Sequence, residues 1–353
     1  MDTAITETRP SHPLTLESRK RWFRGTLHDK VVVITGASAG VGRATAIEFA
    51  RKGATVILVA RGADGLESAL AELRPLGVEA LALPADVAEA SQLEAVADEV
   101  HRTYGRIDVW VNCAMASVFS PFVQMTTADF RRATEVTYLG TVWGTRAALK
   151  YMRPAGRGHI VQVGSALAHR GIPLQSAYCG AKHAMVGFTE SLRAELMHEK
   201  SRVHVGMVHL PAMNTPQFDW VKSNLSHRAQ PVPPIFQPEV AARAIVWSAT
   251  HRRRAMWIGG STIVAIVGNR IAPDVGDHYL ALTGFASQQT KELETARPDN
   301  LWSSVSGLHR THGRFDRRAA KRSPLAWLSM HKRGLTGAAL VGVALLALRR
   351  SAR

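Results

Sequence analysis

From Lys30 onward, short runs of apolar, mostly β-branched residues alternate with longer stretches of helical periodicity, and this alternation restricts the fold more than any other feature of the chain. Val31–Thr35 (VVVIT), Thr55–Ala60 (TVILVA) and Val78–Pro84 (VEALALP) predict the first three strands. Ile107–Asn112 (IDVWVN), His159–Gly164 (HIVQVG), Val203–Leu210 (VHVGMVHL) and a short Met256–Ile258 predict four more. Between them the pattern predicts a helix to about Lys52, then helices over Asp64–Arg74, Glu89–Tyr104, a long Ala128–Met152, Gln175–Glu199 and Pro238–Thr250. Strands that are apolar along their whole length must be covered on both faces, and helices between them supply that cover. The predicted class is α/β, a doubly wound parallel sheet whose ligand sites lie at the carboxyl ends of the strands. We place this domain at 28–270, between an N-terminal extension, 1–27, and a C-terminal extension, 271–353.

The chain has 353 residues, 46% of them hydrophobic and 20% charged, which excludes wholesale disorder and collagen-like repeats. Cys113 and Cys179, the only cysteines, cannot build a disulfide framework or a Cys-rich zinc site, and they fit a reducing, intracellular setting. None of the 15 histidines falls in HExxH or other metal-ligand spacing, so no metal is expected. The net charge of +16 invites a nucleic-acid reading, but the charge is local. Residues 297–353 carry 12 Lys/Arg against 2 Asp/Glu, whereas 31–296 carry 26 against 22. A basic tail without interleaved aromatics points to anionic lipid before nucleic acid. The first 25 residues have no apolar core of a secretory signal, and a cytoplasmic location is expected.

Three groups of residues carry chemistry. TGASAGVG, Thr35 to Gly42, lies between a buried strand and a helix. Gly36, Gly40 and Gly42 permit a tight turn and a close backbone approach to a pyrophosphate at the helix N-terminus; a plain tight turn is the alternative. The second strand ends in Ala60-Arg61, where an acid would bind the adenosine ribose of NAD. The guanidinium there suits a 2′-phosphate and points to NADP, unless Arg61 is a solvated loop residue. Tyr178 and Lys182 are four apart on one helix, so the ammonium can lie near the phenol. A free phenol has a pKa of about 10, and a nearby cation makes it usable as a general acid and base. Ser165, at the end of the fifth strand, can hydrogen-bond a substrate oxygen.

In this order the residues resemble the short-chain dehydrogenase/reductase family over about 28–260, on TGxxxGxG, a strand-end Ser and YxxxK. The resemblance implies a Rossmann fold, an NADP(H) cofactor and interconversion of a ketone or aldehyde with an alcohol. It implies that Tyr178 transfers the proton, that Lys182 holds the nicotinamide ribose and lowers the Tyr178 pKa, and that Ser165 orients the substrate oxygen. It extends the cofactor set to Gly36, Ser38, Gly40, Val41, Gly42, Arg61, Asp86, Val87, Asn112, Tyr178, Lys182, Pro211 and Thr215. Asp86 stands in PADV, Asn112 opens the NNAG equivalent, and Pro211 to Thr215 (PAMNT) match PGxxxT. Dimers and tetramers dominate the family, so a homo-oligomer is implied. Three positions depart from its pattern: Cys113-Ala114-Met115 follow Asn112, Ala212 replaces Gly, and Thr137 stands where the family has a helical Asn that supports a proton-relaying water. These departures keep open an alternative, a cofactor-binding scaffold with weak or no catalysis.

Three segments stand outside this pattern. Pro211–Pro238 holds six prolines and reads as an active-site lid or a floppy insertion. Its apolar residues Met213, Phe218, Trp220, Ile235 and Phe236 favour a lipophilic carbonyl or alcohol substrate, although lids also pack such residues on themselves. Ser303–Ser323 is basic and polar with little apolar periodicity, and is expected to be poorly ordered. Gly334–Leu348 is 15 uncharged residues, flanked by Lys332-Arg333 and Arg349-Arg350. As a helix it would span about 22 Å, short of a hydrocarbon core of about 30 Å. It reads as a membrane anchor within 325–353, a helix at a subunit contact, or a disordered tail.

Overall fold

Seven fully apolar runs need a partner on each face, and one parallel sheet provides both. The computed structural model describes residues 27–331. Its main sheet contains β1 (Val31–Thr35), β2 (Thr55–Ala60), β3 (Ala80–Pro84), β4 (Val109–Asn112), β5 (Gly158–Ser165), β6 (Val203–Leu210) and β7 (Ala255–Trp257). The order across the sheet is β7-β6-β5-β4-β1-β2-β3. Every neighbouring pair is parallel. The chain therefore starts in the middle, winds outward through β3 and returns to wind the other way from β4. The crevice at that reversal, beyond the carboxyl ends of β1 and β4, is where a ligand fits in such a sheet.

Alternate side chains of the strands feed two cores. Val32, Ile34, Val56 and Leu58 point into one, with α1 (Gly40–Ala50), α2 (Ala63–Leu73) and, across β5 and β6, α7 (Pro238–Thr250). Val31, Val33, Ile57 and Val59 point into the other, with α3 (Ala90–Tyr104), α5 (Gly140–Met152) and α6 (Ser176–His198). Trp110 of β4 is fully buried in this second core. The long helix expected over 128–152 is divided into α4 (Thr127–Thr134), a wide π-helical turn at Glu135–Leu139 and α5. Beyond β7 come α8 (Gly260–Ile271) and α9 (Pro273–Ser287).

The proline-rich segment is built into the fold. Ala212–Met213 pairs in parallel with Ile235–Phe236, which pairs in turn with Ala319–Ala320. Phe218, Val221 and Ile235 pack on Phe119 and Phe315 in a small core of their own. Of the readings above, a covering lid describes it and a floppy insertion does not.

The expectation for Ser303–Ser323 was wrong. Residues 299–331 run back over the domain and are anchored at buried points: Leu301 is 0% exposed, and Phe315 and Ala326 are buried. These plugs lie 14 and 11 residues apart, so they make no periodic pattern. Between them the segment is held by polar side chains of the domain reaching its backbone. Arg132 Nε donates to the Leu301 carbonyl (3.2 Å), and Arg43 Nη1 donates to the His309 carbonyl (3.0 Å). Among the described residues, no helix is long and apolar enough to cross a membrane; Gly334–Leu348 lies outside them.

If 299–331 is part of the folded unit, Leu301→Ala leaves a cavity in the second core. The expected loss is about 2–5 kcal/mol, read as a lower urea midpoint with a single transition for the whole chain.

Candidate active site

The turn after β1 sets the geometry. Thr35 closes the strand, and its Oγ1 accepts from the amides of Cys113 (3.1 Å) and Ala114 (3.2 Å). The β1 turn is thus tied to the end of β4 across the crevice. Gly36 has φ +70, and a Cβ there would lie 2.8 Å from the Ala114 Cα. Only glycine fits both the left-handed backbone and that approach. A Cβ on Gly42 would collide with the Gly36 carbonyl oxygen, so the first turn of α1 also needs glycine. The N-cap of α1, Ala39, makes no side-chain cap. The Gly40 amide is taken by the Arg310 carbonyl (3.0 Å), and the helix turns the positive end of its dipole to the crevice.

A cleft of about 480 Å³ runs from this turn along the carboxyl ends of the strands. Its walls include Gly36, Ser38, Gly40, Val41, Gly42, Arg61, Asp86, Val87, Pro211 and Thr215, together with Ser165, Tyr178 and Lys182. One expected residue is missing. Asn112 is buried behind the wall, where Nδ2 donates to Gln162 Oε1 (2.9 Å) and Thr145 Oγ1 (3.1 Å), and Oδ1 accepts from Trp110 Nε1 (2.9 Å). It braces β4 against β5 and α5 and does not face the cleft. Asp86 lines the cleft, but its carboxylate is already engaged by Arg132 and by the amide of Ala88 (3.0 Å). Arg61 spends two of its N–H groups on the Asn300 carbonyl and the Leu301 carbonyl (3.1 Å), leaving the rest of its five for a ligand.

Ser165, Tyr178 and Lys182 meet at the end of β5. Ser165 Oγ accepts from the amide of Leu167 (3.1 Å), and its hydroxyl stands close enough to the Tyr178 phenol to favour the phenolate. Lys182 Nζ donates to the Val163 carbonyl (2.7 Å) and lies 5.6 Å from the centroid of the Tyr178 ring. Burial brings the Lys182 ammonium down to about 8. Burial also pushes the Tyr178 phenol above its ordinary value, against the Ser165 hydroxyl, which pulls it down. In the protein alone the phenol is therefore protonated at neutral pH, a state suited to giving a proton away. Cys113 on the same wall is a neutral thiol, pushed up by burial to about 12. Beneath Ser165 lies His209, whose Nδ1 is 3.3 Å from the Ser165 carbonyl. Burial holds His209 down to about 3, so it is neutral.

Thr137, in the π-helical turn, is fully buried. Its hydroxyl donates to the Ala116 carbonyl (2.8 Å) and accepts from the Ala116 amide (2.9 Å). One small side chain thus satisfies both backbone groups of a residue just beyond β4. Met115 lines the cleft beside it. Among the described residues, no group of three or more His, Cys, Asp or Glu is placed to hold a metal ion.

A family model described as short chain dehydrogenase matches residues 30–225. The chain belongs to the short-chain dehydrogenase/reductase family. It is 34% identical over 318 residues to the uncharacterized oxidoreductase YxnA of Bacillus subtilis (strain 168), covering 89% of this chain and 88% of that one. A span of that length leaves about 40 residues outside it, so it takes in the C-terminal segment at 300–309. The chain is also 34% identical over 200 residues to the 3-oxoacyl-[acyl-carrier-protein] reductase of Bos taurus, covering 56% of this chain and 83% of that one. Among solved structures, a short-chain dehydrogenase from Streptomyces avermitilis matches with a TM-score of 0.62 and 27% identity, covering 74% of this chain and 98% of that one. A metagenomic short-chain oxidoreductase in complex with NADP matches with a TM-score of 0.56 and 27% identity, covering 66% and 98%. The protein is therefore an oxidoreductase of a family that uses a nicotinamide cofactor.

The part that several residues play in shaping this site is not legible in the sequence. Thr35 and Thr137 act on backbone groups that no spacing reveals. Asn300, Ser304, Val305 and His309 reach the cleft wall, held there by Arg43 and Arg132, only because the chain folds back. Thr137→Val removes the hydroxyl and keeps the volume, leaving two buried backbone groups unpaired. The expected cost is about 2–6 kcal/mol, at about 1–3 kcal/mol for each group. Thr137→Ser stays close to the parent in the same urea titration.

Proposed function

We propose that this protein is an NADP(H)-dependent reductase and dehydrogenase that interconverts a lipophilic ketone or aldehyde with the corresponding alcohol. The observation that carries the reading is the meeting of Ser165, Tyr178 and Lys182 at one end of the cleft whose other end is the Gly36–Gly42 turn. The dinucleotide, when bound, supplies or takes up the hydride. The chain's own residues handle the proton and the oxygen. Ser165 holds the substrate oxygen beside the Tyr178 phenol. In reduction the phenol gives its proton to that oxygen as negative charge develops there. Lys182, anchored on the Val163 carbonyl, keeps a positive charge near the phenolate that results.

NADP(H) is favoured over NAD(H) by the residue that ends β2. Arg61 lines the cleft where an acid would otherwise meet a plain ribose. Two solved relatives are complexes with such dinucleotides, the metagenomic oxidoreductase with NADP and an alcohol dehydrogenase from the archaeon Thermococcus sibiricus with 5-hydroxy-NADP. A lipophilic substrate is favoured by the mouth of the cleft. Leu167, Ile172, Met213, Phe218, Trp220 and Val232 line it, and α9 adds Tyr279 and Leu280. Of the apolar lid residues, Ile235 and Phe236 do not line the cleft; both are buried and pack within the fold. The scaffold alternative rests on Thr137 and Met115. The double hydrogen bond of Thr137 to Ala116 supports an intact catalytic wall and so favours chemistry over scaffolding.

The test is NADPH oxidation against a panel of lipophilic ketones and aldehydes. Tyr178→Phe is expected to lose at least about a hundredfold in kcat, the lower range of a general acid's contribution, while binding NADPH as the parent does. Turnover that survives the substitution would refute the assignment.

The pH dependence has a definite sign. The folded pKa of Lys182 is lowered to about 8, so the ammonium is present below that pH and lost above it. The phenol, raised by burial, stays protonated through the same range. Reductive kcat/KM is expected to be level from about pH 6 to 7 and to fall above about 8, by up to tenfold per pH unit for one ionisation. A profile level to about pH 9.5 would show that the charge on Lys182 is not used.

A further inference from the structure

The second strand's end is covered by a segment that the family model does not include. Residues 300–309 cross from the Arg61 guanidinium to Arg43 at the first turn of α1. Asn300, Ser304, Val305 and His309 contribute to the cleft wall. They touch the start of α2 closely. A Cβ on Gly62 would lie 2.8 Å from the Ser304 Cβ, and one on Gly65 would lie 2.5 Å from His309 Nδ1.

His309 is the unusual residue here. Its side chain is 10% exposed, and neither ring nitrogen has a hydrogen-bond partner. Its one acidic neighbour, Asp64, has Oδ1 at 3.7 Å from Nε2, beyond hydrogen-bonding reach. A buried imidazole without partners costs free energy that a native fold normally recovers from a ligand or a neighbour. Around it stand further donors: the free N–H groups of Arg61, the Ser304 hydroxyl, and the first amides of α2, whose N-cap Gly62 provides no side-chain cap. An anion with several acceptor oxygens satisfies all of them together.

We propose that Ser304 and His309 are cofactor-binding residues, which complete with Arg61 a site for the phosphate on the adenosine ribose of the dinucleotide. The C-terminal segment then forms the outer wall of the cofactor site, and its residues take part in choosing the phosphorylated dinucleotide. This rests on the proposed use of NADP(H). Burial keeps His309 below its ordinary value, opposed by Asp64 and by the nearby Val305 carbonyl and reinforced by Arg43, so the free protein holds a neutral ring.

The test is equilibrium binding of NADPH and of NADH, read from nucleotide fluorescence, with the full chain and the variants Ser304→Ala, His309→Ala and His309→Gln. The His309 ring rests on Trp220 (5.4 Å between centroids) and faces Asp64 in the protein alone, so a thermal melt of each variant checks that the fold is retained. The expected result is an NADPH Kd raised about tenfold in His309→Ala and several-fold in Ser304→Ala, roughly the value of one hydrogen bond to a charged group. His309→Gln recovers part of the loss, and the NADH Kd is unchanged throughout. Equal weakening of both dinucleotides, no change in either, or tighter NADPH binding once the side chains are removed would each overturn the inference. The last would mark the segment as a barrier to the cofactor. A parent protein that binds no NADPH overturns the proposed cofactor instead, and the inference falls with it.

Discussion

Everything at the site depends on how closely two backbones meet where the sheet reverses. β1 and β4 are hydrogen-bonded neighbours, yet their connections leave in opposite directions, so their carboxyl ends open a crevice. The Thr35 hydroxyl holds that crevice to one width by accepting from two successive amides beyond β4. With the width set, Gly36 faces the Ala114 backbone at a separation that admits no side chain. The uncapped start of α1 then has only one direction in which to point, along the cleft. The glycines, the cleft and the position of β5 with Ser165 at its end all follow from this tie.

A second constraint is the cost of burying polar groups beside that crevice. Asn112, Gln162, Thr145 and Trp110 lie out of contact with water and solve the problem among themselves, each donor meeting an acceptor. Thr137 does the same for Ala116 from the π-helical turn. A straight α-helix over 128–152 would carry Thr137 around with its own register, whereas one wide turn re-aims a single residue while α4 and α5 continue on either side. Beside this paired cluster, several groups in the cleft wall keep capacity to spare, among them the Tyr178 phenol, the Lys182 ammonium, part of Arg61 and the His309 ring. Burial raises the phenol and lowers the ammonium, which brings two groups that normally titrate together to opposite sides of their ordinary values.

Much of this was legible in the sequence because it rests on local pattern. The strand Val203–Leu210 and the helix Pro238–Thr250 run between the expected residues, since unbroken apolar runs and a proline at a helix start leave little freedom. The reactive set was legible because YxxxK fixes its own geometry on one helix. Asn112 shows the limit. Its place at the end of β4 was right, but a strand end has two directions, and the donors and acceptors that drew the side chain inward belong to residues 33 and 50 positions away. The segment Ser303–Ser323 shows another. Disorder is inferred from missing apolar periodicity, and a strap lying on a finished domain needs none. It needs occasional plugs and carbonyls within reach of arginines already placed by the domain.

The way that strap is fastened has a consequence for how a large anionic cofactor could enter. Its apolar burial is concentrated at Leu301 and Phe315. The stretch between them is held by Arg43 on the His309 carbonyl, by the Gly40 amide on the Arg310 carbonyl (3.0 Å), by the Arg310–Asp219 and His312–Glu239 pairs (2.7 Å each), and by the Gly313 amide on the Asn214 carbonyl (3.2 Å). Such bonds exchange with water at a net cost of about 0.5–1.5 kcal/mol each, whereas lifting a leucine out of a core costs more. The stretch can therefore separate from α1 and α2 with both plugs seated, so opening the adenosine end does not require unfolding the extension. The Gly40 amide and Arg43, which hold the strap in the protein alone, belong to the same turn that would receive a pyrophosphate. Cofactor and strap thus draw on overlapping donors, and the strap's fit over the cleft is coupled to what lies beneath it.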